Sequence, residues 1–131
     1  MTSDENVKHI GQCHCGAVSF EFTAPAHVDI TDCNCSMCDM TGYQHVFVPH
    51  GDLRFLSGRD ELTEYRFNTG QAVHMFCQTC GIKPLYQPRS HPDAWSVNLR
   101  CVTAGTMAIA KRIAFDGSDW ESNIAGLREE T

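Results

Sequence analysis

Apolar and polar residues alternate over short stretches of this chain. Val18, Phe20 and Phe22 fall on one side of an extended segment, with Ser19 and Glu21 on the other. A period of two is the mark of a half-buried β-strand. Thr63, Tyr65 and Phe67 alternate in the same way against Glu64 and Arg66. Residues 72–76, 82–87, 94–102 and 107–115 read as further strands, enriched in β-branched and aromatic side chains. Pro84 cannot donate to a ladder, so its segment belongs at a sheet edge or a bend. Turn signals punctuate these segments at Pro25, Pro49-His50-Gly51-Asp52, Ser57-Gly58-Arg59-Asp60, Asn68-Thr69-Gly70, residues 88–92 and Gly105. That rhythm predicts an all-β, mostly antiparallel fold. One or two short helices accompany it. The first is a turn at residues 36–40. The second follows Gly117, where Ser118 and Glu121 form a capping box and Trp120, Ile124 and Leu127 make one apolar face.

The length of 131 residues suits one domain with a real core, spanning 1–131. The expected core runs over about residues 9–125, with frayed polar tails at 1–9 and 128–131. Lysine and arginine total 10 against 16 acids, a formal charge of −6. An acidic chain without a basic run argues against nucleic-acid binding. No stretch reaches the roughly 18 apolar residues that cross a bilayer, so no membrane partner is expected. Residues 1–8 carry no apolar signal-peptide core, which points to a reducing, cytoplasmic setting.

Cysteine changes the picture. The chain holds 8. Seven lie in three tight clusters: Cys13-His14-Cys15-Gly16, Cys33-Asn34-Cys35-Ser36-Met37-Cys38, and Cys77-Gln78-Thr79-Cys80-Gly81. A disulfide scaffold and a thiolate metal site compete as explanations. Cysteines one or two residues apart pair awkwardly with each other, whereas one tight turn can offer two sulfurs to a tetrahedral ion. Gly16 and Gly81 would supply the positive φ such turns need. A sealed zinc takes four ligands, and a functional zinc takes about three and keeps a position open. Seven sulfurs divide most simply into Cys13, Cys15, Cys77 and Cys80 for a structural zinc, and Cys33, Cys35 and Cys38 for an open one. Other partitions exist, and all-thiolate ligation also suits an iron–sulfur cluster; a lyase or hydrolase needs no redox metal, which favours zinc. Seven thiolates and two zinc ions would bring the charge near −9. Cys101 stands alone in a strand pattern and reads as a buried, inert thiol. His14, between two ligands, would face solvent or a partner of the site.

The ordered motifs Cys13-x-Cys15-Gly16-x-Val18, Cys33-x-Cys35-x-x-Cys38 and Cys77-x-x-Cys80-Gly81 resemble those of the glutathione-dependent formaldehyde-activating enzyme (GFA) family, which includes centromere protein V. Pro88-Arg89-Ser90, Ser96-Val97-Asn98, Gly105-Thr106, Phe115-Asp116-Gly117 and Trp120-Glu121 extend the resemblance over about residues 9–125. The chain departs from the pattern after Cys101, reading Val-Thr-Ala where relatives often carry Leu-Asp before Gly-Thr. The resemblance implies a zinc-stapled β-tent with two zinc ions, divided as above. It also implies a carbon–sulfur lyase that joins or parts a thiol such as glutathione and an aldehyde, as in S-hydroxymethylglutathione. The rival within the family is a non-catalytic zinc-stapled interaction module. Three thiolates blunt the Lewis acidity of an ion, so thiol capture is expected in preference to carbonyl polarisation. The aldehyde oxygen then needs a proton donor. Tyr43, His45 and Arg100 are the weak candidates, with Arg89 in its Pro-rich loop. For each of them, a surface or packing role is the default. Exposed edges of a tent are compatible with a homodimer.

Overall fold

The hydrophobic core is made by two sheets meeting face to face. In the computed structural model, which describes residues 6–33, 36–66, 72–103 and 106–115, ten strands and one short α-helix account for most of the described residues. A three-stranded sheet joins β1 (Asn6–Gln12), β2 (Ser19–Pro25) and β5 (Leu53–Ser57) in the order β1-β2-β5. A five-stranded sheet is built from β3 (His27–Cys33), β4 (His45–Pro49), β8 (Leu85–Tyr86), β9 (Ala94–Asn98) and β10 (Ala108–Phe115), in the order β10-β3-β4-β9-β8. Two further strands, β6 (Leu62–Tyr65) and β7 (His74–Cys77), pair with each other. Pairing is antiparallel throughout the described ladders except between β10 and β3. The helix α1 (Ser36–Thr41) sits between β3 and β4.

Phe20, Phe22 and Ala24 on β2 meet Val46 and Val48 on β4 and Trp95 and Val97 on β9 across this core. Strand β9 is buried at all five positions. Its alternate residues therefore face two different interiors: Trp95 and Val97 enter the apolar core, while Ser96 and Asn98 face the other way.

The expected strands are present with shifted ends, while Phe67 and the turns expected at Asn68-Thr69-Gly70 and Gly105 lie outside the described residues. The first helix spans Ser36–Thr41 as expected, and the turns at Pro49 and Ser57 are short 3-10 segments at His50–Asp52 and Arg59–Glu61. The segment 94–102 does not continue as one strand. The Asn98 side chain accepts a hydrogen bond from the Arg100 amide at 3.1 Å, which turns the chain into a 3-10 segment at Leu99–Cys101. Pro84 precedes β8, and β8 is an edge strand. The helix expected after Gly117, with Trp120, Ile124 and Leu127, lies outside the described residues.

The N-terminal segment differs from expectation. Residues 6–9 are not frayed but begin β1, paired with β2 from Asn6↔Pro25 onward. Their alternation is invisible in the sequence because the inward positions are His9 and Gly11. His9 is fully buried, with Nδ1 2.7 Å from Thr106 Oγ1 and Nε2 3.1 Å from the Ala24 carbonyl. Gly11 lies under the Phe20 ring, where a Cβ would stand 2.5 Å from Cζ.

Truncating Phe20, which is fully buried, tests this packing. Phe20→Ala is expected to cost about 3–5 kcal/mol, read as a lower denaturation midpoint at unchanged slope.

Candidate metal centre

Two tight turns, far apart in sequence, bring four sulfurs together. In the first, the Cys13 amide donates to the Val18 carbonyl at 3.1 Å and the Gly16 amide to the Cys13 carbonyl at 3.1 Å. In the second, the Cys77 amide donates to the Ile82 carbonyl at 2.9 Å and the Gly81 amide to the Cys77 carbonyl at 2.8 Å. Both turns close through a glycine in the left-handed region, Gly16 at φ 82 and Gly81 at φ 78, where a side chain would be strained.

The sulfurs of Cys13, Cys15, Cys77 and Cys80 all lie within 4.8 Å of one another. Cys13 and Cys15 are 3.7 Å apart, as are Cys15 and Cys77. A disulfide would need about 2.05 Å. A tetrahedron with metal–sulfur bonds of about 2.3 Å has edges of about 3.8 Å, so the four sulfurs have the spacing of a tetrathiolate cage. The donor set suits zinc. Backbone amides already point at the cage: Val18 N–H donates to Cys13 Sγ and Thr79 N–H to Cys77 Sγ, each at 3.4 Å. Cys13 and Cys77 are buried and pack with Val18, so one side of the cage is part of a second small core.

Within the cage the proton affinities of Cys15, Cys77 and Cys80 are pulled apart. Desolvation opposes ionisation of Cys80, but the Cys15 and Ile82 amides and the sulfurs of Cys77 and Cys13 outweigh it and bring the thiol down to about 6. At Cys15 the Ala17 amide favours the thiolate. Desolvation and the sulfurs of Cys13, Cys77 and Cys80 overcome it and raise the thiol to about 11. Cys77 is lowered, chiefly by the amides of Cys80 and Thr79. Cys101, half-buried near Lys83, is pushed up to about 11 by burial first and by Cys13 and Cys80 second, which suits an inert thiol.

The triple cluster is described only in part. Cys33 ends β3 and Cys38 lies within α1, while Cys35 and the side chains of Cys33 and Cys38 lie outside the described residues.

Beside that stretch of backbone is a buried polar cluster. Tyr43, two residues after the end of α1, donates its hydroxyl to the Ser96 carbonyl at 2.5 Å. His45 Nδ1 lies 2.8 Å from Ser96 Oγ and 3.3 Å from the Tyr86 hydroxyl. Lys83, only 6% exposed, places Nζ 2.7 Å from His74 Nδ1. The same ammonium stands 3.9 Å from the Tyr86 ring centre and 4.7 Å from that of Tyr43. Of the candidates drawn from the sequence, Tyr43 and His45 meet here. Arg100 is exposed in its 3-10 segment and does not join them, and Arg89 lies on the loop between β8 and β9. Lys83, His74 and Tyr86 carry little mark in the sequence. Their only signal is a lysine set between Ile82 and Pro84 in an otherwise apolar segment.

Paired sheets joined at a cluster of four cysteines that could hold a metal define a β-protein with a candidate metal site. Residues 8–123 match the glutathione-dependent formaldehyde-activating enzyme family, and the chain belongs to that family. It is also similar to a solved crystal structure of a Rhodobacter sphaeroides protein, at 38% identity and a TM-score of 0.68, over 72% of this chain and 88% of that one.

Cys77→Ser is expected to remove one equivalent of zinc by elemental analysis. It should also lower the unfolding temperature sharply, since a structural zinc contributes on the order of 10 kcal/mol. An unchanged metal content would refute the cage. Zinc affinity should weaken as pH falls, because each ligand must lose its proton to bind. The fall should steepen below about pH 6, where Cys80 also becomes protonated in the metal-free protein. Competition with a chromophoric chelator at pH 5 to 8 measures this.

Proposed function

We propose that this protein is a zinc-dependent carbon–sulfur lyase acting on a thiol–aldehyde adduct, with S-hydroxymethylglutathione as the expected type. In this reading Cys13, Cys15, Cys77 and Cys80 hold a structural zinc, and Cys33, Cys35 and Cys38 hold a second zinc with an open position. The observation that carries the reading is the buried cluster of Lys83, His74, Tyr86, Tyr43 and His45. Strand β3 pairs with β4 at Thr31↔His45, so the backbone leading to Cys33 adjoins the strand that carries His45. An enclosed cation is an expensive arrangement for a purely structural module.

A zinc in the open site would supply a bound thiol held as its thiolate at neutral pH. In the synthetic direction the sulfur attacks the aldehyde carbon. A carbon–sulfur bond forms, the carbonyl π pair moves to oxygen, and that oxygen takes up a proton. The reverse removes the hydroxyl proton and breaks the carbon–sulfur bond. The chain's contribution is charge and proton placement at that oxygen. Lys83 is the group best suited to it, because an ammonium in a water-poor site stabilises developing negative charge far more than it does in water. Tyr43 has its hydroxyl proton engaged by Ser96, so it frames the site and covers the Lys83 charge with its ring. Ser96 anchors His45 through Nδ1. The cytoplasm, where glutathione is the abundant thiol, is the setting that fits this chemistry.

The test is exchange spectroscopy of glutathione with isotopically labelled formaldehyde. Protein carrying two zinc equivalents should accelerate adduct exchange. Cys35→Ser should abolish the acceleration while retaining one zinc and the fold, and Lys83→Met should reduce it about 100-fold. Two bound equivalents with no acceleration would assign the chain to the non-catalytic interaction modules instead.

A further inference from the structure

On the opposite side of the sheet from Lys83, a cavity of about 610 Å³ opens between the sheets, with Trp95, Phe55 and Met75 as its apolar wall and Arg54, Arg59 and Arg66 around it. The volume is in the range that holds a small organic ligand. Strand alternation separates the two places. On β7, Met75 faces the cavity and His74 faces Lys83; on β9, Trp95 faces the cavity and Ser96 faces His45.

The charge here runs against the chain as a whole. The protein carries 16 acids and 10 lysines and arginines, yet three arginines and His50 line this cavity against the single acid Glu64. Two of these arginines are engaged by carboxylates: Arg54 with Glu21 and Arg66 with Glu64. Arg59 is held differently. Its guanidinium lies 5.0 Å from the Phe55 ring centre and 5.7 Å from that of Trp95, and it makes no ion pair with a described carboxylate. Aromatic faces fix a guanidinium without using up its in-plane donors, which remain a fork matched to a carboxylate or phosphate. The two rings form an edge-to-face pair at 5.8 Å and 85°, so the apolar wall is rigid.

We propose that this cavity is a binding site for a small organic anion with a flat apolar body. The anionic head is paired with Arg59, and the body lies against Trp95, Phe55 and Met75. The site is separate from the thiol chemistry proposed above, and its failure would leave that reading untouched.

Isothermal titration of the zinc-loaded protein with 2-naphthoate tests it, with 2-naphthalenemethanol as the neutral counterpart of similar shape. Naphthoate is expected to bind saturably, at least fivefold more tightly than the alcohol. Arg59→Gln is expected to weaken naphthoate at least fivefold with zinc content unchanged; because Arg59 is exposed, its loss does not threaten the fold. Glutathione should leave the naphthoate affinity as it is. Absence of saturable binding, a smaller effect of the charge or of Arg59→Gln, or displacement by glutathione would each overturn the proposal. The comparison of acid with alcohol on the unaltered protein decides the matter even if the variant proves unstable.

Discussion

The four-sulfur cage is the constraint on which the rest depends. It ties the turn after β1 to the turn after β7, so that Cys15 and Cys77 meet across 62 residues of chain. The β6–β7 pair is only four residues long on each side. Two strands of that length do not stand alone in water. Besides the cage, the Gln78 amide donates to the Glu61 carbonyl at 2.9 Å, and an isolated bridge links Val73 to Gln87. A metal ion at the cage would therefore act as a covalent cross-link does, closing a long loop and supporting the small sheet.

With that corner fixed, the five-stranded sheet becomes a partition. Its central strands bury both faces, and each face has a different chemistry. Val46, Val48, Trp95 and Val97 make a dry core with β2. Across the sheet, His45, Ser96 and Asn98 belong to a buried polar layer that also holds Lys83 and His74. An ammonium in such a place is tolerable only with partners, and Lys83 has them: a histidine nitrogen and the faces of two tyrosines. The polar layer is as closely built as the apolar one.

Much of this is legible in the chain, for identifiable reasons. Cysteine spacing announces the cage because two sulfurs and a glycine in one turn have few other uses. The alternation of Val18, Phe20 and Phe22 shows a strand with one face inward. Other elements hide. Strand β1 presents His9 and Gly11 to the interior, so its buried face lacks hydropathy. Strand β4 carries the run Val46-Phe47-Val48 with both faces covered, so period two is lost. Ile82 is 39% exposed while Lys83 is 6% exposed, the reverse of what hydropathy assigns them. No local rule recovers that exchange, because Lys83 is enclosed by His74 on β7 and Tyr86 on β8, partners that only the tertiary fold brings to it.

The cage also reaches the arginine-lined cavity through the backbone. Gln78 sits between the candidate ligands Cys77 and Cys80. It grips Glu61 twice, by its amide to the carbonyl and by Nε2 to Oε2 at 2.5 Å. Glu61 closes the 3-10 turn that begins at Arg59, its amide donating to the Gly58 carbonyl at 2.9 Å. The turn that presents Arg59 to Trp95 is thus bonded directly to the turn that carries Cys77 and Cys80. The two hydrogen bonds of Gln78 to Glu61 are therefore the direct link between the four sulfurs and the wall of the cavity. A single ion would in this way hold both the fold's weakest sheet and the geometry of a cationic surface some distance from any chemistry of its own.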